Sequence, residues 1–107
     1  MRIEEWWAGD AVILDLKGQL TLSDGDQLLK NKVKSLVNQG QKRIVLNLAE
    51  VPFIDSSGLG EIVRIHLTVS RQGGSLTLQN PTKRITDLLS MTNLLPIFNI
   101  DGTADDA

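Results

Sequence analysis

The sequence has no cysteine and only one histidine. Without thiols, neither a disulfide framework nor a thiolate metal site can form. A reducing compartment is therefore expected. One histidine and scattered carboxylates leave no set of metal ligands, so no metal site is expected. Excess positive charge is also missing: 11 Lys and Arg stand against 13 Asp and Glu, for a net charge of −2. Nucleic-acid binding needs a positive face that displaces counterions, so no nucleic-acid partner is expected. No apolar run approaches the roughly 18 residues of a membrane span, and direct membrane insertion is not expected. "MRIEEWW" reaches acid before any apolar region, unlike a signal peptide. The expected location is cytoplasmic.

What is present suffices for one core. The chain has 107 residues, 41% of them hydrophobic, and reads as a single domain over 1–107. Ile3–Trp7 and Ala11–Leu16 read as two antiparallel strands around a Gly9–Asp10 hairpin turn. Trp6 and Trp7 would point to opposite faces, one into the core and the other outward. Ser23, Asp24 and Asp26 are turn and cap residues. Leu28, Leu29, Val33, Leu36 and Val37 follow at helical spacing, and Gly40 ends that helix. The lysines at 30, 32 and 34 form a solvated face of it. Ile44–Leu48 is apolar on both faces and reads as a buried strand.

A second helix carries Leu59, Ile62, Val63, His66 and Val69 on one side and closes at Gly73–Gly74. "SLTLQN" is a strand. A third helix runs from about Thr82 to Thr92 with Ile85, Leu88 and Leu89 inward. After Pro96, "IFNI" reads as an edge strand. The acidic 101–107 is expected to be a flexible tail. The expected fold class is α/β: a small mixed β-sheet of about four or five strands, in the order β-β-α-β-α-β-α-β, with helices packed on it.

Between the third strand and the second helix lies "FIDSSGLGE", Phe53 to Glu61. Such sheets gather functional groups beyond the carboxyl ends of their strands. The first N–H groups of a helix lack internal partners, and with the macrodipole they favour an anion. A phosphate on a serine here is expected to fit without refolding the helix. Gly58 and Gly60 would let another chain approach. Asp55 would repel a phosphate beside it. Glu61 is read as a first-turn acid that adds to that repulsion. On pattern alone, cap chemistry is the stronger explanation of these residues.

"RIVLNLAEVPFIDSSGLGEIV", with "GQLT" upstream and "GGSLTLQNPTKRITDLLSMTNL" downstream, resembles the STAS domain family of sulphate transporters and anti-sigma factor antagonists. The resemblance covers about 11–100 and is closest to the stand-alone antagonists. It implies that Ser56 is a phosphorylation site. It also implies that Asp55, Ser57, Gly58, Leu59 and Gly60 belong to the partner-binding surface. The implied partner is an anti-sigma factor serine kinase, which binds the unphosphorylated form and releases its sigma factor. Phosphorylation breaks the complex, and a serine phosphatase restores it. Ser23, Asp24 and Gly25 would share the partner surface if the second and third strands run parallel. The alternatives are a cytoplasmic subunit of an ABC-type lipid transporter and a scaffold in a stress-sensing complex.

An enzyme is not expected. A serine nucleophile needs a base, and His66 lies about 13 Å along the helix axis from Ser57. No G-x-S-x-G elbow or phosphate-binding loop is present. No residue demands a cofactor.

Overall fold

The computed structural model describes residues 1–102. β1 (Arg2–Ala8) and β2 (Ala11–Lys17) form an antiparallel hairpin in which Ala8 faces Ala11 across Gly9–Asp10. α1 (Asp26–Asn38) leads to β3 (Arg43–Glu50), α2 (Ser56–Arg71) to β4 (Ser75–Gln79), and α3 (Lys83–Met91) with a short 3-10 turn (Leu95–Ile97) to β5 (Asn99–Asp101). The five strands stand in sequence order, and β2 through β5 run parallel. The expected α/β mixed sheet is present. Ile97 lies in the 3-10 turn, so the last strand begins two residues later than "IFNI" suggests. Asp101 closes β5, although it was expected in the tail; 103–107 lie outside the described residues.

The sheet has one buried face. Val12, Leu14 and Leu16 of β2, Ile44, Leu46 and Leu48 of β3, and Leu76 and Leu78 of β4 are all buried. They meet Leu29, Val33 and Leu36 of α1, Ile62, Ile65 and Val69 of α2, and Ile85 and Leu89 of α3 in one cluster. The alternate residues Ile13, Asp15, Val45, Asn47, Thr77 and Gln79 are only half-buried. β3 is therefore not the strand buried on both faces that its composition suggests. Asn47 shows why: its side-chain amide donates to Asp15 Oδ1 at 2.8 Å on the solvated face.

Both tryptophans are surface residues, 56% and 53% exposed. They do point to opposite faces, as expected. Trp7 pairs with Val12 and so shares the helix-covered face, but it sits at the hairpin end of an edge strand. There β1 has a neighbour on one side only, and most of its residues are exposed. The core tryptophan expected from the sequence does not exist.

Candidate functional site

Parallel pairing of β2 with β3 brings their carboxyl-end loops together. Leu20 N–H donates to Phe53 O at 3.0 Å, and Asp55 N–H to Leu20 O at 3.3 Å. The loop holding Ser23, Asp24 and Gly25 thus lies beside Asp55 and Ser56, as parallel strands require.

Asp55 joins the two loops. It is the N-cap of α2, and its Oδ1 accepts from Gly58 N–H at 2.8 Å. Its Oδ2 accepts from Leu22 N–H at 3.1 Å. The N–H groups of Gly58, then Leu22, then Ser57 hold its carboxyl below the usual carboxylate range. The anion seat at this helix start is therefore filled by the protein's own carboxylate. The first N–H groups of this helix were expected to favour an added anion; the Gly58 N–H is already taken by Asp55.

The two serines differ sharply. Ser56, the first residue of α2, is exposed. Among the described residues, its hydroxyl has no hydrogen-bond partner. Ser57 is half-buried, and its hydroxyl donates to Asp26 Oδ2 at 2.6 Å across to the start of α1. Leu59 is half-buried and packs against the core.

Gly58 does not open space for a second chain. It is buried, and a Cβ there would stand 2.1 Å from Leu20 O and 2.9 Å from Ile54 Cγ1. Its missing side chain serves the junction of the two loops. Gly60 is half-buried, with Arg64 Nη1 3.4 Å from where its Cβ would be.

Glu61 is neither exposed nor in the first turn. Its side chain is 4% exposed and pairs with Arg64 Nη2 at 3.1 Å. Burial raises its pKa, the facing Asp26 carboxyl raises it further, and Arg64 opposes both. The sequence reading missed this link; its signal was the spacing 58, 61, 62, 65, 69, which puts Glu61 on the buried stripe of α2.

The preceding loop is a turn rather than a side-chain cap. Asp24 N–H donates to Thr21 Oγ1 at 3.1 Å, and Ser23 Oγ lies 3.4 Å from the same hydroxyl. Asp24 Oδ1 also holds the Met1 amino group at 2.6 Å. Gly25 takes the N-cap position of α1 at φ 92°, with no side-chain cap bond. A Cβ on Gly25 would meet Gln19 O at 2.7 Å. Asp26 is the first helical residue, and its carboxyl is used by Ser57 instead of capping α1.

Exposed apolar side chains lie on the loop before α1 and at the end of α3. Leu22, on the loop held by Asp55, is 75% exposed, and Met91 is 80% exposed. Phe53, Ile54, Arg84, Leu88 and Met91 line an open groove of about 650 Å³ between the loop and α3. The Arg84 guanidinium lies over the Phe53 ring at 5.6 Å. His66 packs edge-on against Phe98, with ring centroids 5.3 Å apart. No helix among the described residues is long and apolar enough to cross a membrane.

The sequence profile of the STAS domain matches residues 2–107. A candidate anti-sigma factor antagonist of Thermotoga neapolitana is 37% identical, over 92% of this chain and 87% of its own length. The anti-sigma-B factor antagonist of Bacillus subtilis is 35% identical, over 73% of this chain and 71% of its own. The crystal structure of a candidate anti-sigma factor antagonist from Thermotoga maritima superposes with a TM-score of 0.88. It shares 34% identity, with 94% of this chain and 86% of that one covered.

Proposed function

The chain belongs to the STAS domain family, and from that membership we propose that it is an anti-sigma factor antagonist switched by phosphorylation of Ser56. Its partner is an anti-sigma factor serine kinase in the cytoplasm. The unphosphorylated form binds this kinase and displaces the sigma factor, phosphate on Ser56 abolishes binding, and a serine phosphatase restores it. The protein is a substrate in this cycle and carries no catalytic residue of its own.

One observation carries the reading: Ser56 presents an exposed hydroxyl, without a partner among the described residues, at the first position of α2, directly after a carboxylate whose ionised form is favoured. A hydroxyl can be covered by a partner at small cost. A phosphate adds about −1.5 to −2 charge units. It cannot enter the helix seat, because Asp55 already accepts from Gly58 there. It must lose water under the partner while standing beside Asp55, and both effects weaken the complex. Each 1.4 kcal/mol lost is about tenfold in affinity, so a few kcal/mol make a switch. The exposed Leu22, on the loop held by Asp55, and Phe53, three residues before Ser56, supply apolar area for the partner.

Paired baits test the reading. Wild type and Ser56→Asp are used to capture binders from native lysate, which are identified by mass spectrometry. Wild type should recover a serine kinase that the Asp variant loses. Equal recovery of the same partners by both baits contradicts the switch.

A further inference from the structure

Two serines stand side by side at the start of α2, and any kinase that docks here meets both. Phosphoryl transfer forms a bond from the serine oxygen to the γ-phosphorus of a nucleoside triphosphate. The bond from that phosphorus to the bridging oxygen breaks, the diphosphate leaves with the electron pair, and the hydroxyl proton passes to a base on the kinase. The acceptor oxygen must be reachable, and its proton must be free to turn toward that base.

Ser57 is the poorer acceptor on both counts. Its proton is held by Asp26 Oδ2 at 2.6 Å. It is half-buried where α2 meets α1, where an incoming triphosphate would face the carboxylate of Asp26, which itself interacts with the 4%-exposed Glu61. A phosphate attached to Ser57 would break the bond to Asp26 and put like charges in contact. Ser56, one residue earlier, has an exposed hydroxyl and no such carboxylate on its oxygen.

We propose that Asp26, from a different helix, is the residue that chooses the acceptor: by engaging the Ser57 hydroxyl it restricts phosphorylation to Ser56. The proposal rests on the phosphorylation switch above and adds a determinant to it. Asp26 is a positioning residue here, since it acts on the reaction only through Ser57.

Site mapping tests it, with an anti-sigma factor serine kinase, ATP and tandem mass spectrometry on wild type, Ser56→Ala, and Ser56→Ala combined with Asp26→Ala or with Asp26→Asn. Wild type should carry phosphate on Ser56 at more than ten times the level on Ser57. Ser56→Ala should be modified more than tenfold more slowly. Removing the Asp26 carboxylate in that background should raise phosphate on Ser57 at least tenfold. Two Asp26 variants guard against misfolding of one, and thermal melts check both. Phosphorylation of Ser57 at the wild-type Ser56 rate with Asp26 intact overturns the proposal. So does a folded double variant with no gain at Ser57. Wild type that is not modified on either serine overturns the switch itself, a distinct result.

A kinase-free arm introduces phosphoserine at position 56 or 57 during translation. Phosphate at 57 should lower the melting temperature more than phosphate at 56, and Asp26→Ala should remove most of the excess. Equal shifts that ignore Asp26 overturn the proposal.

Discussion

Asp55 caps α2 with one carboxylate oxygen and ties down the neighbouring loop with the other. Its motif position was legible in the sequence, and so was its role as a cap. The tie to Leu22 was not, because it joins residues 33 apart and depends on strand order. The same holds for Ser57 and Asp26, 31 residues apart. Asp55 and Glu61 give the protein two opposed pH dependences. Asp55 has a lowered pKa, so its share of stability is present above the ordinary 3.8 and is lost as pH falls through its lower folded value. Glu61 has a raised pKa, so its share is present below the ordinary 4.5 and is lost as pH rises through its higher folded value. Glu61→Gln should therefore gain on wild type as pH rises through that folded value, in urea unfolding measured from pH 4 to 7. Parallel stability curves would refute this assignment. Gly58→Ala should be severe for its size. Its methyl meets Leu20 O, a backbone atom that cannot turn away, and a loss on the order of 1–3 kcal/mol is expected by denaturant unfolding. A melt unchanged from wild type would mean the two loops are less closely joined than described.

At the scale of elements, sequence periodicity placed all three helices, and local chemistry gave the capped starts of α2 and α3 but not the uncapped start of α1. α3 starts where Thr82 Oγ1 accepts from Ile85 N–H at 3.3 Å. Thr82→Ala should cost about 1 kcal/mol, and no change in chemical denaturation would argue against that cap. α2 was legible in extent but not wholly in orientation. Its buried stripe includes Ile65 and Glu61, whereas Leu59, Val63 and His66 are partly exposed. Charge misled the reading at Glu61, since an acid is seldom buried without a partner and Arg64 supplies one three residues on. β1 failed differently. Two adjacent tryptophans suggested burial of one, but an edge strand has no neighbour to cover its outer side.

For the whole molecule, the order of strands is what makes the site. Parallel β2 and β3 place two loops at one end of the sheet, and every candidate residue from Ser23 to Gly60 falls on them or on the helix starts that follow. That the other sheet face stays half-exposed could not be read from "IVLNL", whose apolar residues fall on both faces and hide the alternation. One core supports the arrangement, and Leu46 lies at its centre, fully buried on the middle strand. Leu46→Ala should cost about 2–5 kcal/mol, read by urea unfolding; a much smaller loss would mean the core can collapse around the gap. The central claim is that one phosphate on Ser56 decides binding. Its most direct test is calorimetric titration of a purified anti-sigma factor serine kinase with the unphosphorylated protein and with the Ser56-phosphorylated protein. The account predicts binding by the first and at least a hundredfold weaker binding by the second. Equal affinities would contradict it.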